Sequence, residues 1–330
     1  MVKGRMSDKK YIMDNLLDFL LGKYDEELFE LSSKVREKKY KNNVYIRGVI
    51  DISNYCVCDC KFCGNACTSK VERFRLDTTE IIDSIKAAQE SGIDLIHLAA
   101  GVDGKVNDEY LMPVIKYCND NDIVIEMAIG EKNLEIYDRL IRNGVNRFIV
   151  KFETSNKQVF ENIKVCHSTY KEYIDFIKKL KEKGVSMGSG NIIGMPGTTL
   201  NDLVGDIVLL NMLDLDMVST SVFKANKESI FWDKKDGDSN LSLRFIALVN
   251  LLYYNKKISI PTNSSFGLEN KIAAMKLGAN VLSVNYTKSS YEKKYSIYEG
   301  GARIRANYEK TNNYIDEAGM KLVSWKEFNK

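Results

Sequence analysis

The stretch Thr79–Ala99, TEIIDSIKAAQESGIDLIHLA, holds the reading that decides the fold. Ile81, Ile82, Ile85 and Ala88 recur at helical spacing and mark one apolar helix face. Asp77 and Glu80 stand where a capping box opens such a helix. Gly92 follows the helical pattern, and Asp94–Ala99 reads at once as a buried strand. The same helix–Gly–strand junction returns at Asn143-Gly144-Val145, Lys183-Gly184-Val185 and Leu277-Gly278-Ala279. Such alternation is the pattern of βα units and a parallel sheet.

Working outward, eight strands are expected: Val44–Ile52, Asp94–Ala99, Ile123–Ala128, Arg147–Phe152, Val185–Ile193, Met217–Phe223, Ile258–Asn263 and Asn280–Val284. A helical pattern follows each of the first seven, and a last helical segment lies near Thr311–Ala318. Eight units within about 240 residues point to an α/β protein with a (β/α)8 TIM barrel, the alternative being a doubly wound open sheet. Residues 1–43 read as an amphipathic helical cap across the barrel bottom, with Ile12, Leu16, Leu17, Phe19 and Leu20 apolar. The barrel is expected over 44–300, with a C-terminal extension over 301–330 packed on it.

The chain has 330 residues, 44% hydrophobic and 28% charged, so it can bury a core. Forty-eight basic against 45 acidic residues leave +3, too balanced to suggest a nucleic acid or a membrane surface as partner. No apolar run has transmembrane length, and Asp18 interrupts the one short apolar piece near the N-terminus, so a cytoplasmic protein is expected.

Five of the seven cysteines fall between Cys56 and Cys67; Cys118 and Cys166 stand apart. An odd total in one tight cluster is not a disulfide framework and suggests a metal. Cys56-x3-Cys60-x2-Cys63 begins just after the first strand, in a loop that opens on the C-terminal face of a barrel, where barrel enzymes do their chemistry. Three thiolates can hold three irons of a [4Fe–4S] cube and leave the fourth open to a small molecule. A zinc site built on Cys60 and Cys63, completed by Cys58 or Cys67, is the competing reading. In the three-ligand reading Cys58 and Cys67 are free thiols beside the cluster.

This motif, with Phe62 before its last cysteine, resembles the radical S-adenosylmethionine (SAM) superfamily, and the branch containing biotin synthase, the hydrogenase maturase HydE and methylornithine synthase (PylB). The resemblance runs from about residue 40 to 320. It also rests on Arg73-Phe74-Arg75-Leu76, Phe152-Glu153-Thr154, the 188–197 stretch GSGNIIGMPG, Ile260-Pro261-Thr262 and Gly278-Ala279-Asn280-Val281. It implies a [4Fe–4S] cluster on Cys56, Cys60 and Cys63, S-adenosyl-L-methionine as cofactor, and reductive cleavage to a 5′-deoxyadenosyl radical. A protein reductant such as flavodoxin or ferredoxin is the implied electron donor.

The resemblance also implies cofactor contacts. Phe62 lies near the adenine, Glu153 bonds the ribose, and Lys151 takes the place of an Arg for the cofactor carboxylate. Gly190 and Asn191 let the cofactor approach the backbone, and backbone near Gly101 serves where the family's acidic residue is missing at Val102. Tyr173 stands where relatives have a second Arg. Biotin synthase holds a second cluster at places here taken by His97, Glu126 and Gly188, and methylornithine synthase grips an amino acid at places here taken by Ser219 and Ser265. Ser219, Thr262, Asn263 and Ser265 suggest a pocket that takes a small polar molecule by hydrogen bonds, with His97 and Glu126 beside it as an acid–base pair or a satisfied core pair. The expected function is radical chemistry on a small metabolite in cofactor or amino-acid biosynthesis. HydE-like maturation, a methylornithine-synthase-like mutase and a non-catalytic zinc- or cluster-binding barrel are the alternatives.

Overall fold

The computed structural model describes residues 8–262, 265–266, 268–292, 294–295, 297, 304–305 and 308–328. Its strands in chain order are β1 Asn43–Ser53, β2 Leu95–Ala100, β3 Val124–Ala128, β4 Arg147–Ile149, β5 Ser186–Ser189, β6 Ile192–Ile193, β7 Met217–Val218, β8 Ser221–Val222, β9 Val281–Asn285, β10 Ile304–Arg305 and β11 Lys321–Val323. Every pairing between them is parallel, and the main sheet runs β10-β9-β1-β2-β3-β4-β5-β7.

Two bridges close this sheet into a ring. Met217 pairs with Ser259 and Pro261 pairs with Val281, so the short stretch 259–261 stands between β7 and β9. Val218 N donates to Ser259 O at 2.9 Å and Thr262 N to Val281 O at 2.8 Å. The result is the (β/α)8 barrel expected from the alternation. The seventh expected strand is reduced to isolated bridges because Pro261 has no N–H to offer a ladder. The expected fifth and sixth strands are each interrupted, giving β5 with β6 and β7 with β8. The interruptions are in step: a Cβ at Gly190 would lie 1.9 Å from Ser219 O, so the two breaks pack into each other.

Alternation in β1 sorts the interior. Val44, Ile46, Ile50 and Ile52 join the core between strands and helices, while Arg47 and Val49 face the barrel lumen. The helix Thr78–Glu90 opens with the expected capping box of Asp77 and Glu80. Gly92 has φ of 74°, the left-handed value its junction calls for. At Gly278 φ is 147°, and the reason for glycine is close packing: a Cβ there would lie 2.6 Å from Asn250 Cβ.

The barrel bottom is closed by a different segment from the one expected. Trp325 and Phe328 stack at 4.4 Å and pack with Tyr40, Tyr45, Leu95 and Val281. The N-terminal helix Asp25–Tyr40 instead lies outside the ring against the helix Ser239–Leu252, clamped by Arg244 on both oxygens of Asp25 at 2.8 Å. Tyr40 at its end reaches the bottom layer, and Arg36 donates to Asn43 O at the start of β1 at 2.8 Å. Leu17, grouped with the apolar face, is 38% exposed. Among the described residues no helix is long and apolar enough to cross a membrane.

Candidate active site

β1 delivers the chain to the barrel mouth at Ser53, and the loop that follows carries the cysteines. Arg73 staples this loop, donating from Nη1 to Asn54 O at 2.7 Å and Asn65 O at 2.9 Å and from Nη2 to Ser69 O at 3.1 Å. Arg75 forks onto Asp103 at 2.7 and 2.8 Å, and Ser53 Oγ donates to the same carboxylate at 2.6 Å. Gly101 is required because the loop crosses it: a Cβ there would lie 2.3 Å from Tyr55 O and 2.8 Å from Cys56 Cβ.

Within the loop Cys56 Sγ accepts from Val102 N at 3.3 Å and Cys63 Sγ from Asn65 N at 3.4 Å. Burial pushes the Cys63 thiol up to about 12 and the Cys60 thiol up as well, and the neighbouring thiols act on both in the same direction. Cys60 and Cys63, desolvated and repelled by neighbouring thiols, accept ionisation only when cations join them, which is the donor chemistry of an iron–sulfur site. Among the described residues no three His, Cys, Asp or Glu groups converge on a single ion.

Cys58 is not a free thiol. It forms a disulfide with Cys166, Cα to Cα 4.7 Å, which corrects its reading as a spare thiol and Cys166 as isolated. Cys67 is free and exposed. The 108-residue separation made the pair invisible to any reading of local spacing. The disulfide removes Cys58 from the zinc reading.

Beside the loop, the end of the fourth barrel unit holds a second group. Glu153 has φ of 65°, a sparsely populated conformation for a non-glycine residue. Backbone on both sides holds it there: Glu153 N donates to Gly190 O at 3.0 Å and Ile192 N to Glu153 O at 2.9 Å. The carboxylate sits between two ammonium groups, Lys151 Nζ at 3.2 Å from Oε2 and Lys164 Nζ at 3.5 Å from Oε1. Oε2 is buried and has charge pairing with Lys151 but no hydrogen bond. A buried carboxylate oxygen whose neighbouring donor, the Lys151 ammonium at 3.2 Å, is poorly aligned keeps capacity for a hydrogen bond from a ligand.

Lys151 also donates to Ser221 Oγ across the barrel at 3.0 Å, and burial lowers its pKa. Lys164 donates to Lys151 O at 2.9 Å and stands 4.4 Å over the Tyr173 ring. Burial opposes its charge, yet Tyr173, Glu153 and Cys60 outweigh that and hold it above the usual lysine range.

Deeper in the lumen lies a third group. His97 and Glu126 are register partners on β2 and β3, and His97 Nδ1 lies 2.8 Å from Glu126 Oε1. Arg47 Nη1 donates to the same oxygen at 2.5 Å, and Arg147 Nη2 to Oε2 at 3.3 Å. Arg47 Nε also donates to Ser283 Oγ at 2.8 Å, and Arg147 stacks 4.5 Å over Trp325 of the bottom layer. Burial pushes the Glu126 carboxyl up, but Arg47, the His97 hydrogen bond and Arg147 outweigh it and hold the group well below the ordinary carboxylate range. It is a weak base, so His97 and Glu126 form a satisfied structural pair.

A cavity of about 260 Å³ lies between the mouth and this floor. Lys151, Glu153, Tyr173, His97, Ser219 and Thr262, all singled out in the sequence, line it. Arg47, Lys164 and Lys271 line it too, so the wall carries more charge than the expected set of small polar residues with His97 and Glu126 beside them. Other expected residues do not reach it. Phe62 packs with Ile163, Ile192, Met195 and Phe223 beside Cys60 and Cys63. Asn191 Nδ2 donates to Asp206 at 2.7 Å and its carbonyl accepts from Thr220 at 2.8 Å, so its side chain serves the fold. The room that a Cβ would take at Gly190 is filled by Ser219 backbone. Ser265 Oγ accepts from Val222 N at 2.9 Å. Asn263 lies outside the described residues. Lys164, Arg47 and Arg147 were missed. Arg47 had a signal, a charge at an inward position of an apolar strand; Lys164 had none, because a loop lysine is ordinary.

Residues 50–210 match the family model described as Radical SAM superfamily. Among curated proteins the chain is similar to the [FeFe] hydrogenase maturase subunit HydE of Thermotoga maritima, 28% identical over 281 residues, covering 84% of this chain and 80% of that one. It is also similar to 3-methylornithine synthase of Methanosarcina acetivorans, 26% identical over 264 residues, 78% of this chain and 73% of that one. Among solved structures it superposes on methylornithine synthase (PylB) with TM-score 0.88 at 21% identity, covering 100% and 99% of the two chains.

Proposed function

The chain belongs to the radical SAM superfamily, and on that premise we propose that Cys56, Cys60 and Cys63 hold its [4Fe–4S] cluster above a cavity in which a small polar metabolite reacts. When bound, the reduced cluster and S-adenosylmethionine supply the carbon–sulfur cleavage that yields a 5′-deoxyadenosyl radical. The observation that carries the reading is the juxtaposition of three free loop thiols with the buried, underbonded Glu153 at one mouth of the cavity.

Each residue then has a task. The cysteine loop, stapled by Arg73 and Arg75, holds three donors with little freedom to move. Glu153 offers Oε2 to a hydroxyl of the cofactor ribose. The barrel wall keeps water and stray hydrogen donors from the radical. The floor of Arg47, His97, Glu126 and Arg147 gives the cavity a rigid base in which the Glu126 carboxylate stays ionised at neutral pH. A volume near 260 Å³ suits a metabolite of a few heavy atoms beyond the cofactor's reactive end. The substrate belongs to cofactor or amino-acid biosynthesis, and a protein reductant such as flavodoxin or ferredoxin delivers the electron. A maturase-like role has specific support in the likeness to HydE over most of both chains.

The test is anaerobic reconstitution with iron and sulfide, then dithionite and S-adenosylmethionine, with 5′-deoxyadenosine measured. Formation of 5′-deoxyadenosine is expected. Iron-loaded protein that leaves S-adenosylmethionine intact refutes the reading.

A further inference from the structure

We propose that Lys164, a residue no sequence motif marks, supplies the cation for the carboxylate of S-adenosylmethionine, with Lys151 left to the lumen side; this rests on the radical SAM reading above.

Three observations converge on it. First, the mouth holds two ammonium groups against one carboxylate among the described residues: Lys151 at 3.2 Å and Lys164 at 3.5 Å from the two oxygens of Glu153. Both lysine side chains are less than one-fifth exposed, so two ammonium groups share one carboxylate in an enclosed place. Enclosed neighbouring cations are costly, and an anionic ligand group offsets that cost. Second, the two lysines face different ways. Lys151 is anchored to Ser221 across the barrel at 3.0 Å. Lys164 stands on the cysteine side, between Ile163 and Val165, whose carbonyls accept from Lys61 N and Asp59 N of the cysteine loop. A ligand that bonds Glu153 by its ribose and reaches the cluster by its amino-acid end presents its carboxylate on the cysteine side.

Third, Lys164 is held in place by the cysteine loop itself. Lys61 N donates to Ile163 O at 2.9 Å and Asp59 N to Val165 O at 2.8 Å, on either side of Lys164. The Cys58–Cys166 disulfide ties the same segment one residue further on. A flexible side chain whose flanks are pinned to the cluster loop loses little further freedom on binding. Tyr173 then has a reason. It fills the place where the resemblance has a second Arg, and its ring lies 4.4 Å under the Lys164 ammonium, so the cation arrives from the loop instead of the helix.

The experiment measures binding, without turnover, on iron-loaded protein in its oxidised resting state. K164Q is expected to weaken S-adenosylmethionine about tenfold or more, the loss of one charged hydrogen bond, and to leave 5′-methylthioadenosine, which lacks the amino-acid end, within about twofold. K151Q is expected to stay within about threefold for S-adenosylmethionine. K164R, which keeps the charge and fills the space, is the second arm and is expected within about threefold of wild type, also if K164Q fails to load iron. Equal weakening of both ligands by K164Q, a tenfold loss in iron-loaded K164R, or the large loss in K151Q instead would each overturn the assignment. Wild-type protein that loads iron but binds no S-adenosylmethionine would refute the radical SAM reading and not this assignment alone.

Discussion

The two ends of the lumen hold charge clusters of similar make-up and opposite character. At the floor, Glu126 receives Arg47, His97 and Arg147, with both of its oxygens bonded. At the mouth, Glu153 lies between Lys151 and Lys164 with one buried oxygen lacking a hydrogen bond, on a backbone with φ of 65°. At the floor the carboxylate is fully bonded, and the buried atom without a hydrogen-bond partner is a donor, Arg147 Nε, which no ribose hydroxyl is needed to explain. The mouth is left incomplete and strained, and it stands next to the thiols. A buried carboxylate with cations around it is therefore not in itself a site; the informative feature is what remains unsatisfied.

The sharpest way to break this comparison is at the mouth. Cys60→Ala is expected to abolish cluster assembly and 5′-deoxyadenosine formation while leaving the fold, read by far-UV circular dichroism, unchanged. A cluster retained at full iron content in that variant would remove Cys60 from the ligand set. The next largest effect is expected at the floor. Glu126→Gln leaves two guanidinium groups facing each other without a counter-charge and should lower stability by about 3–5 kcal/mol. The pH dependence follows from the sign of the shift. The folded-state carboxyl is held below its unfolded value of about 4.3, so its stabilisation is fully present above that value and is lost as pH falls through the lower folded value. The stability gap between wild type and Glu126→Gln, read from denaturant midpoints, should close as pH falls well below about 4, where both proteins carry an uncharged side chain at 126. A gap that persists undiminished in strong acid would contradict the network.

These contrasts were only partly legible in the sequence. The barrel was, because helix, glycine and strand recur locally and local periodicity is what a sequence displays. The His97–Glu126 pair was too, since each lies in a recognisable strand and neighbouring parallel strands put them in register. Arg47 belonged to the same strand logic but was passed over. The Cys58–Cys166 link and the Lys164 position depend on a loop from the fourth unit folding onto a loop from the first, and no periodicity records that. Gly101, Gly190 and Asn191 were marked for the right region, but the room and the hydrogen bonds they provide go to neighbouring backbone and side chains. The bottom plug of Trp325 and Phe328 was hidden likewise, since which terminal segment covers a barrel end is a tertiary choice.

Two smaller effects sharpen the comparison at the mouth. Glu153→Gln keeps the shape and removes the charge between two lysines. Because the site is made to be completed by a ligand, stability should change by less than in Glu126→Gln, while S-adenosylmethionine affinity falls about tenfold through loss of a charged acceptor. Equal destabilisation by the two substitutions would erase the distinction between floor and mouth. The smallest effect is expected from Cys58→Ser under thiol-reducing conditions, where wild type too carries residues 58 and 166 as thiols. Lys61 N and Asp59 N still pin the 163–165 segment, so iron content and S-adenosylmethionine affinity should match wild type. Loss of iron in Cys58→Ser would make Cys58 a ligand and reopen the four-thiolate site, because a cysteine that only ties two loops together contributes nothing to the metal once the tie is undone.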